Sequence, residues 1–170
     1  MKVTDKYVFF WRSILGNWTS VPGGIIANVD GKIIKVPTSE HLFMYLKAIF
    51  FKDYETADRI LKAPSPKEAK NLGRQVRNFS EDLWETAREA VMEQAVKCRA
   101  AYDERFVSEL CRSEYSGKTF VEASPYDRIW GIGVPEEDCS DTTKFLGLNL
   151  LGKVLTGLRD EIETKNKSRN

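Results

Sequence analysis

The sequence TSEHLFMYLK, residues 38–47, places a carboxylate and an amine within an otherwise apolar helical pattern. Thr38 or Ser39 is a suitable N-cap, and the apolar residues that follow recur with helical spacing. Glu40 and Lys47 point the same way on such a helix, roughly 10 Å apart along its axis. Burying opposite charges among aromatic side chains is costly unless they pair or serve a purpose. The pattern therefore admits two interpretations, an amphipathic helix whose charges reach water at its edge or a charged functional face.

The composition is typical of one globular domain. The chain has 170 residues, of which 42% are hydrophobic, enough to bury a core. The formal net charge of +1 argues against broad electrostatic binding to nucleic acid. No apolar run approaches the roughly 18 residues of a membrane span, and the N-terminal residues do not resemble a signal peptide. Cys98, Cys111 and Cys139 form no CxxC pair, which fits reduced thiols. We predict a cytoplasmic protein that contacts no membrane.

A single histidine, His41, limits the chemistry that the chain can support. A zinc site with two histidine ligands is impossible. Neither a G-x-S-x-G elbow nor a phosphate-binding glycine loop is present. We therefore expect chemistry without a metal or cofactor, or no chemistry at all.

Local patterns predict an α+β fold, mainly α-helical, in a single domain with a small β element. Strands are expected at residues 6–11 and 119–123, and a hairpin is expected to pair residues 25–29 with 32–36 around Asp30-Gly31. Helices are expected at residues 38–51, 53–62, 67–77, 80–102, 103–112 and 145–162. On the longest helix, the residues available to one side are Leu83, Trp84, Ala87, Val91, Ala95 and Cys98.

Two segments lack helical or strand periodicity. Residues 124–144 contain proline, glycine and acidic residues, and they are predicted to form a long loop of functional importance. Residues 165–170 are predicted to form a disordered polar tail, so that the domain spans residues 1–164.

Five short motifs occur in a characteristic order along almost the whole chain. They are Gly16-Asn17-Trp18, SEH at residues 39–41 with Lys47, Trp84 with Arg88 and Met92, EASPYDRIWGIG at residues 122–133, and NLLG at residues 149–152 followed by Leu158-Arg159. Taken together, this set resembles the NADAR family, also called YbiA-like proteins. The chain departs from the family pattern at Gly16 and Trp18, where serine and phenylalanine are more usual. It also departs at the acidic residues 136–138, which replace a loop rich in glycine and lysine.

The resemblance implies a compact, mainly helical fold that hydrolyses N-glycosidic bonds between ribose and a nucleobase-like amine. Two substrate classes are implied: ADP-ribose attached to guanine in nucleic acid, and the ribosylamino-pyrimidine phosphates of early riboflavin synthesis. By similarity, Glu40, Lys47, Asp127, Trp130 and Asn149 would lie in the pocket. The expected partner is thus a nucleotide-like small molecule or ADP-ribosylated guanine, without stable nonspecific binding to DNA. The oligomeric state is left open.

The predicted catalytic residues are Glu40, Lys47 and Asp127. Either carboxylate can stabilise an oxocarbenium-like state, activate water or relay a proton to the departing nitrogen. A desolvated Lys47 with a depressed pKa can instead form a Schiff base with a ring-opened sugar. Direct hydrolysis and this covalent route both remain open. The rival hypothesis is a non-catalytic module that binds ADP-ribose or a related nucleotide.

Each predicted substrate-binding residue also has a structural alternative. The set comprises Asn17, Trp18, His41, Arg74, Trp84, Trp130, Gly131 and Asn149. Asn17 can hold a turn, Trp84 can belong to the core, and Arg74 can face solvent. His41 can be a hydrogen-bonded core histidine, and Trp130 either stacks on a base or fills the core. Asn149, expected within the last helix, binds a ribose hydroxyl or satisfies the backbone of a loop, and Asp127 can simply cap a turn.

Overall fold

The computed structural model describes residues 1–168, and its contacts divide the chain into two compact units. One unit comprises residues 17–104, and the other joins residues 1–16 to the chain from residue 105 onward. Six α-helices and two small sheets form within residues 1–168, so the predicted α+β class is confirmed. In this part of the chain, no helix is long and apolar enough to cross a bilayer.

The unit of residues 17–104 begins with a β-hairpin. Strands β3 (Ile25–Val29) and β4 (Lys32–Val36) pair antiparallel, as predicted. Asp30 and Gly31 between them both have positive φ, 51° and 83°. Two successive residues with positive φ are what a tight two-residue hairpin turn requires, so the Asp-Gly signal identified the turn correctly.

Helix α1 (Ser39–Phe50) lies at the centre of this unit. It contacts α2 (Tyr54–Leu61), α3 (Pro66–Gly73) and α4 (Glu81–Ala100). The first eight residues of α1 are all buried, including Glu40, which is 5% exposed. The interpretation of α1 as an amphipathic helix whose charges reach water is therefore wrong for Glu40, because neighbouring elements cover the face that would have met solvent.

Two details of this unit differ from the prediction. Helix α3 ends at Gly73 rather than at residue 77, since the buried Asp53 carboxylate accepts the Arg77 N–H at 2.8 Å and draws the chain out of the helix. The buried face of α4 consists of Trp84, Arg88, Met92, Ala95, Val96 and Arg99. Leu83, expected on that face, is 57% exposed. Apolar spacing missed this face because two of its members are arginines.

The other unit contains a three-stranded sheet with the order β1-β2-β5. Strand β2 (Tyr7–Phe10) pairs antiparallel with β1 (Lys2–Val3) and parallel with β5 (Thr119–Glu122). The two longer strands were predicted, whereas β1 is too short to show a pattern. Helices α5 (Glu104–Leu110) and α6 (Leu150–Lys167) follow, and α6 packs against β5. The core cluster beside the sheet comprises Phe9, Val121, Ala123, Ile132 and Cys139.

The bounds of α6 differ from the predicted helix at both ends. It begins at Leu150 rather than at residue 145, because Asn149 has φ +54° and cannot be helical. Residues 146 and 148 instead donate their N–H groups to the carbonyls of Ile132 and Arg128. At the other end α6 continues to Lys167, so residues 165–167 of the predicted tail are helical, while residues 169 and 170 lie outside the described chain.

Candidate active site

Glu40 lies in the first turn of α1, where the exposed N–H groups of the helix favour a carboxylate. Its backbone N–H donates to the Asn17 carbonyl at 3.1 Å, which places the Asn17 segment against the start of α1. The Asn17 side chain is buried, and its Nδ2 donates to the Met92 sulfur at 3.2 Å. Its Oδ1 has no hydrogen-bond partner within residues 1–168. Asn17 therefore places a buried acceptor, unpartnered among the described residues, near the start of α1, and its predicted role in substrate binding stays a prediction.

Lys47 lies two turns after Glu40 in a largely aromatic environment. Its Nζ is 4.6 Å from the ring centre of Phe79 and 5.4 Å from that of Trp84, and it makes no ion pair with any described residue. Burial lowers the pKa of Lys47, the positive charge of Arg74 lowers it further, and Glu81 opposes the shift. A lowered pKa raises the fraction of neutral amine near pH 7, which is the form that can act as a nucleophile.

Trp84 and Arg74 both lie near Lys47, but they differ in burial. Trp84 is buried, and its ring centre lies 5.6 Å from that of Phe43 in α1. It is thus a core residue that also forms one wall beside the Lys47 amine. Arg74 caps the C-terminus of α3 and is exposed, which agrees with the solvated alternative while leaving its charge close enough to act on Lys47.

His41 and Trp18 have opposite environments. His41 has no exposed surface; its Nδ1 lies 2.8 Å from Thr38 Oγ1, and its Nε2 lies 3.1 Å from the Ala63 carbonyl oxygen. Burial lowers the pKa of His41, which favours a neutral ring that donates from Nε2. Both nitrogens are engaged, as the hydrogen-bonded core alternative for His41 expects, and its predicted substrate-binding role stays a prediction. Trp18 is 49% exposed and available for contact with a ligand.

In the unit that contains the three-stranded sheet, Asp127 organises the start of a loop. Its Oδ1 accepts the N–H groups of Ile129 at 2.9 Å and Trp130 at 2.8 Å. Its own N–H donates to Ser124 Oγ at 3.1 Å. Asp127 Oδ1 therefore caps a turn, as the structural alternative expects. Its catalytic role stays a prediction.

Gly131 and Asn149 hold this loop to the start of α6. Asn149 N–H donates to the Gly131 carbonyl at 3.2 Å. The Asn149 amide spans the free edge of β5: Oδ1 accepts from Glu122 N–H, and Nδ2 donates to the Phe120 carbonyl, both at 3.0 Å. A Cβ at position 131 would lie 2.8 Å from the Glu122 carbonyl oxygen, which explains the glycine. Of the two alternatives for Asn149, the structure shows the one in which the side-chain amide hydrogen-bonds backbone groups. These groups belong to strand β5 rather than to a loop.

A family model of the NADAR domain matches residues 9–163. The chain belongs to the NADAR family. Over 138 residues it is 36% identical to the protein irg-1 of Caenorhabditis elegans, covering 79% of this chain and 64% of that protein. Over 168 residues it is 32% identical to the N-glycosidase R617 of Acanthamoeba polyphaga mimivirus, covering 93% of this chain and 97% of that protein.

A third NADAR relative is much longer than this chain. The chloroplastic riboflavin biosynthesis protein PYRR of Zea mays is 33% identical over 140 residues, which are 78% of this chain and 21% of that protein. The chain thus spans about a fifth of the maize protein and less than two thirds of irg-1, but nearly all of R617.

Two residues of the motifs shared with the NADAR family, Gly152 and Arg159, have structural roles. Gly152 brings α6 so close to β5 that a methyl group there would overlap the Phe120 carbonyl. Arg159 is buried, and its Nη1 donates to the carbonyls of Tyr115 at 2.9 Å and Lys118 at 2.6 Å. Such a motif identifies the family through its fold as much as through its chemistry.

Sequence reasoning placed Arg88 in a motif with Trp84 and Met92 but not among the predicted site residues. Arg88 lies one turn from Trp84 and one turn from Met92 on the buried face of α4. The signal was available in the spacing of these three residues. It was used only for the family resemblance, and no role was assigned to the arginine.

Proposed function

We propose that this NADAR protein is an N-glycosidase that cleaves the bond between ribose and a nucleobase-like amine, without a metal or cofactor. The observation that carries the proposal is the Lys47 amine, which lies against Phe79 and Trp84 with a lowered pKa, two turns from the buried Glu40 carboxylate. A desolvated amine and a buried carboxylate on one helix are suited to covalent and acid–base chemistry. The similarity to N-glycosidase R617 of the mimivirus supports the same reaction class.

Two routes are consistent with these groups. In direct hydrolysis, the C1′–N bond breaks as positive charge develops on the sugar, Glu40 stabilises that charge, and water adds to C1′ while a proton passes to the leaving nitrogen. In the covalent route, the sugar ring opens to an imine, neutral Lys47 adds to C1′, and the base leaves as its amine. Water then hydrolyses the Lys47 Schiff base and regenerates the free amine.

ADP-ribose attached to guanine in nucleic acid is our first candidate substrate. A flipped or single-stranded guanine needs only a local binding site, which a chain with a net charge of +1 can supply. A ribosylamino-pyrimidine phosphate is the second candidate, and the match to the maize protein named for riboflavin biosynthesis favours it. Both substrates present the same ribose-to-amine bond.

Incubation with an ADP-ribosylated guanine oligonucleotide and with the ribosylamino-pyrimidine phosphate, followed by mass spectrometry of the released base, tests the proposal. We expect release from at least one substrate, and Glu40→Gln should slow it by at least ~10²-fold, since a positioned acid–base group contributes that much. Glu89→Gln, an exposed change on α4, is the matched control and should keep the wild-type rate.

The binding-module hypothesis predicts a different result from the same experiment. ADP-ribose would bind to wild type and to Glu40→Gln with similar affinity, and neither substrate would release base. That outcome would replace the glycosidase proposal.

A further inference from the structure

Arg88 combines a largely buried side chain with a guanidinium group that has no hydrogen-bond acceptor among residues 1–168. Its side chain is 10% exposed, and it forms no hydrogen bond with any residue in the range 1–168. The one ion pair it makes there joins its Nη2 to Glu85 Oε1 at 3.9 Å, which is beyond hydrogen-bond distance. The Glu85 side chain is 56% exposed and therefore well solvated. The five N–H donors of the guanidinium are thus left without acceptors among residues 1–168.

This arrangement leaves solvent as the acceptor for the Arg88 donors until a ligand completes it, since no Arg88 nitrogen is among the fully buried, unpaired atoms of residues 1–168. A charged group taken out of water loses solvation free energy, and a long, partly exposed ion pair returns little of it. Buried arginines whose only role is structural have their donors satisfied, as Arg159 does with two backbone carbonyls. Arg88 differs from Arg159 in this respect.

The position of Arg88 connects it to the groups already described. Trp84, one helical turn earlier, is the residue whose ring lies 5.4 Å from the Lys47 amine. Met92, one turn later, holds the Asn17 amide, whose Oδ1 is buried and has no hydrogen-bond partner within residues 1–168. One turn of helix is about 5.4 Å. Arg88 therefore occupies the α4 face between the residue beside Lys47 and the residue beside Asn17.

We propose that Arg88 binds a phosphate group carried by the ribose of the substrate, either a phosphate monoester or a diphosphate. The planar guanidinium fork matches two phosphate oxygens with parallel hydrogen bonds, and bidentate pairs of this kind are among the strong ones. Both candidate substrates carry phosphate on ribose, so the inference rests on the proposed function for its substrate class. Glu85, at the surface, competes weakly for Arg88 until the phosphate arrives.

Calorimetry with ADP-ribose, ribose 5-phosphate and phosphate-free adenosine tests this inference without requiring turnover. Arg88→Met should weaken the binding of ADP-ribose and of ribose 5-phosphate by about 10- to 100-fold, because charge-assisted hydrogen bonds are lost. The affinity for adenosine should stay unchanged. Arg88→Lys should lose less affinity for the two phosphate ligands, because lysine keeps the positive charge but lacks the planar guanidinium fork. Glu85→Gln should bind both phosphates at least as tightly as wild type, because the competing carboxylate is gone.

The control is Arg59→Gln, which removes an exposed arginine in the last turn of α2 and should leave all three affinities unchanged. Thermal unfolding and circular dichroism should show Arg88→Met folded and no less stable than wild type, since removal of a poorly compensated charge is neutral or stabilising. If that variant does not fold, the Arg88→Lys titration decides the question by itself, through its selective loss of the phosphate ligands.

Three outcomes would overturn the assignment: unchanged phosphate affinity in both Arg88 variants, an equal loss for adenosine, or displacement of ADP-ribose by an unmodified oligonucleotide at equal concentration. Its failure is separable from failure of the proposed function. Base release with normal KM in Arg88→Met would retain the glycosidase and remove the phosphate site. Phosphate binding that depends on Arg88, without base release from any substrate, would retain the phosphate site and remove the glycosidase proposal.

Discussion

Lys47 carries its charge in surroundings that disfavour it. Aromatic rings at 4.6 and 5.4 Å offer a modest cation–π attraction, and no described carboxylate is close enough to form an ion pair. Because the pKa of Lys47 is lowered in the folded protein, folding penalises the ammonium form. This penalty is fully present below the folded pKa and disappears as the pH rises towards about 10.4, the ordinary lysine value.

Substitution of Lys47 separates catalysis from stability. Lys47→Met should lose turnover and leave the free energy of unfolding at pH 7 unchanged or higher, as measured by urea denaturation. Borohydride added during turnover should trap a sugar adduct on the peptide that contains Lys47, and kcat/KM should rise with pH through the lowered pKa of the amine. Lys67→Met, an exposed change on α3, is the control. Full turnover without a Lys47 adduct would exclude the covalent route and leave direct hydrolysis.

The buried carboxylate of Asp53 caps α2 and also holds the segment that follows α3. Asp53 Oδ1 accepts the Thr56 N–H at 3.1 Å, which caps α2, and pairs with Arg77 Nη2 at 2.8 Å. Its Oδ2 accepts the Arg77 N–H. Hydrogen bonds from Arg77 hold the pKa of Asp53 well below its ordinary value.

Asp53→Asn should lower the free energy of unfolding at pH 7 by about 2–4 kcal/mol, the combined worth of a helix cap and charge-assisted hydrogen bonds. Since the folded pKa is depressed, this stability is present above about pH 4 and declines as the pH falls further. Urea unfolding at pH 7 and pH 3 should therefore show the difference from wild type shrinking at the lower pH. Asp58→Asn removes a surface pair with Lys32 and should change stability by less than about 1 kcal/mol. Equal effects of the two substitutions would contradict this account.

The junction between β5 and α6 depends on Asn149. Asn149→Ala would leave the Phe120 carbonyl and the Glu122 N–H without their partner. It would also place alanine at φ +54°, a conformation that asparagine adopts more readily. We expect a loss of about 2–4 kcal/mol in urea unfolding. Asn166→Ala, an exposed change in α6, is the control. A loss below about 0.5 kcal/mol would show that the two hydrogen bonds contribute little.

At the scale of the whole chain, the near balance of 26 basic and 25 acidic residues is the dominant electrostatic property. Nonspecific DNA binding is driven by neutralised phosphates, so a balanced chain has little to drive it. Fluorescence anisotropy with unmodified duplex DNA at 150 mM salt should show no saturable binding tighter than about 10 μM. Tighter binding with a steep salt dependence would point instead to a basic surface hidden by the net charge.

Patterns of local origin were predictable at the scale of single elements. The hairpin around Asp30-Gly31, the cap at Thr38 and the strand at Thr119–Glu122 depend on residues close together in sequence. The start of α6 was not predictable in the same way. Asn149 takes its positive φ because its amide reaches β5, a contact between residues 27 and 29 positions apart.

The sequence proposed which residues form the candidate site, and that membership stays a prediction, whereas the surroundings of these residues could not be predicted from local patterns. The sequence by itself determined the family, the order of the motifs, and the placement of Glu40 and Lys47 on one helix, because helical periodicity is a local property. Only the tertiary structure decided that α1 is covered by its neighbours, that His41 has both nitrogens engaged, and that Arg88 has no hydrogen-bond acceptor among residues 1–168. Burial and hydrogen-bond satisfaction depend on which distant residues fill the surrounding space, and no local pattern encodes that.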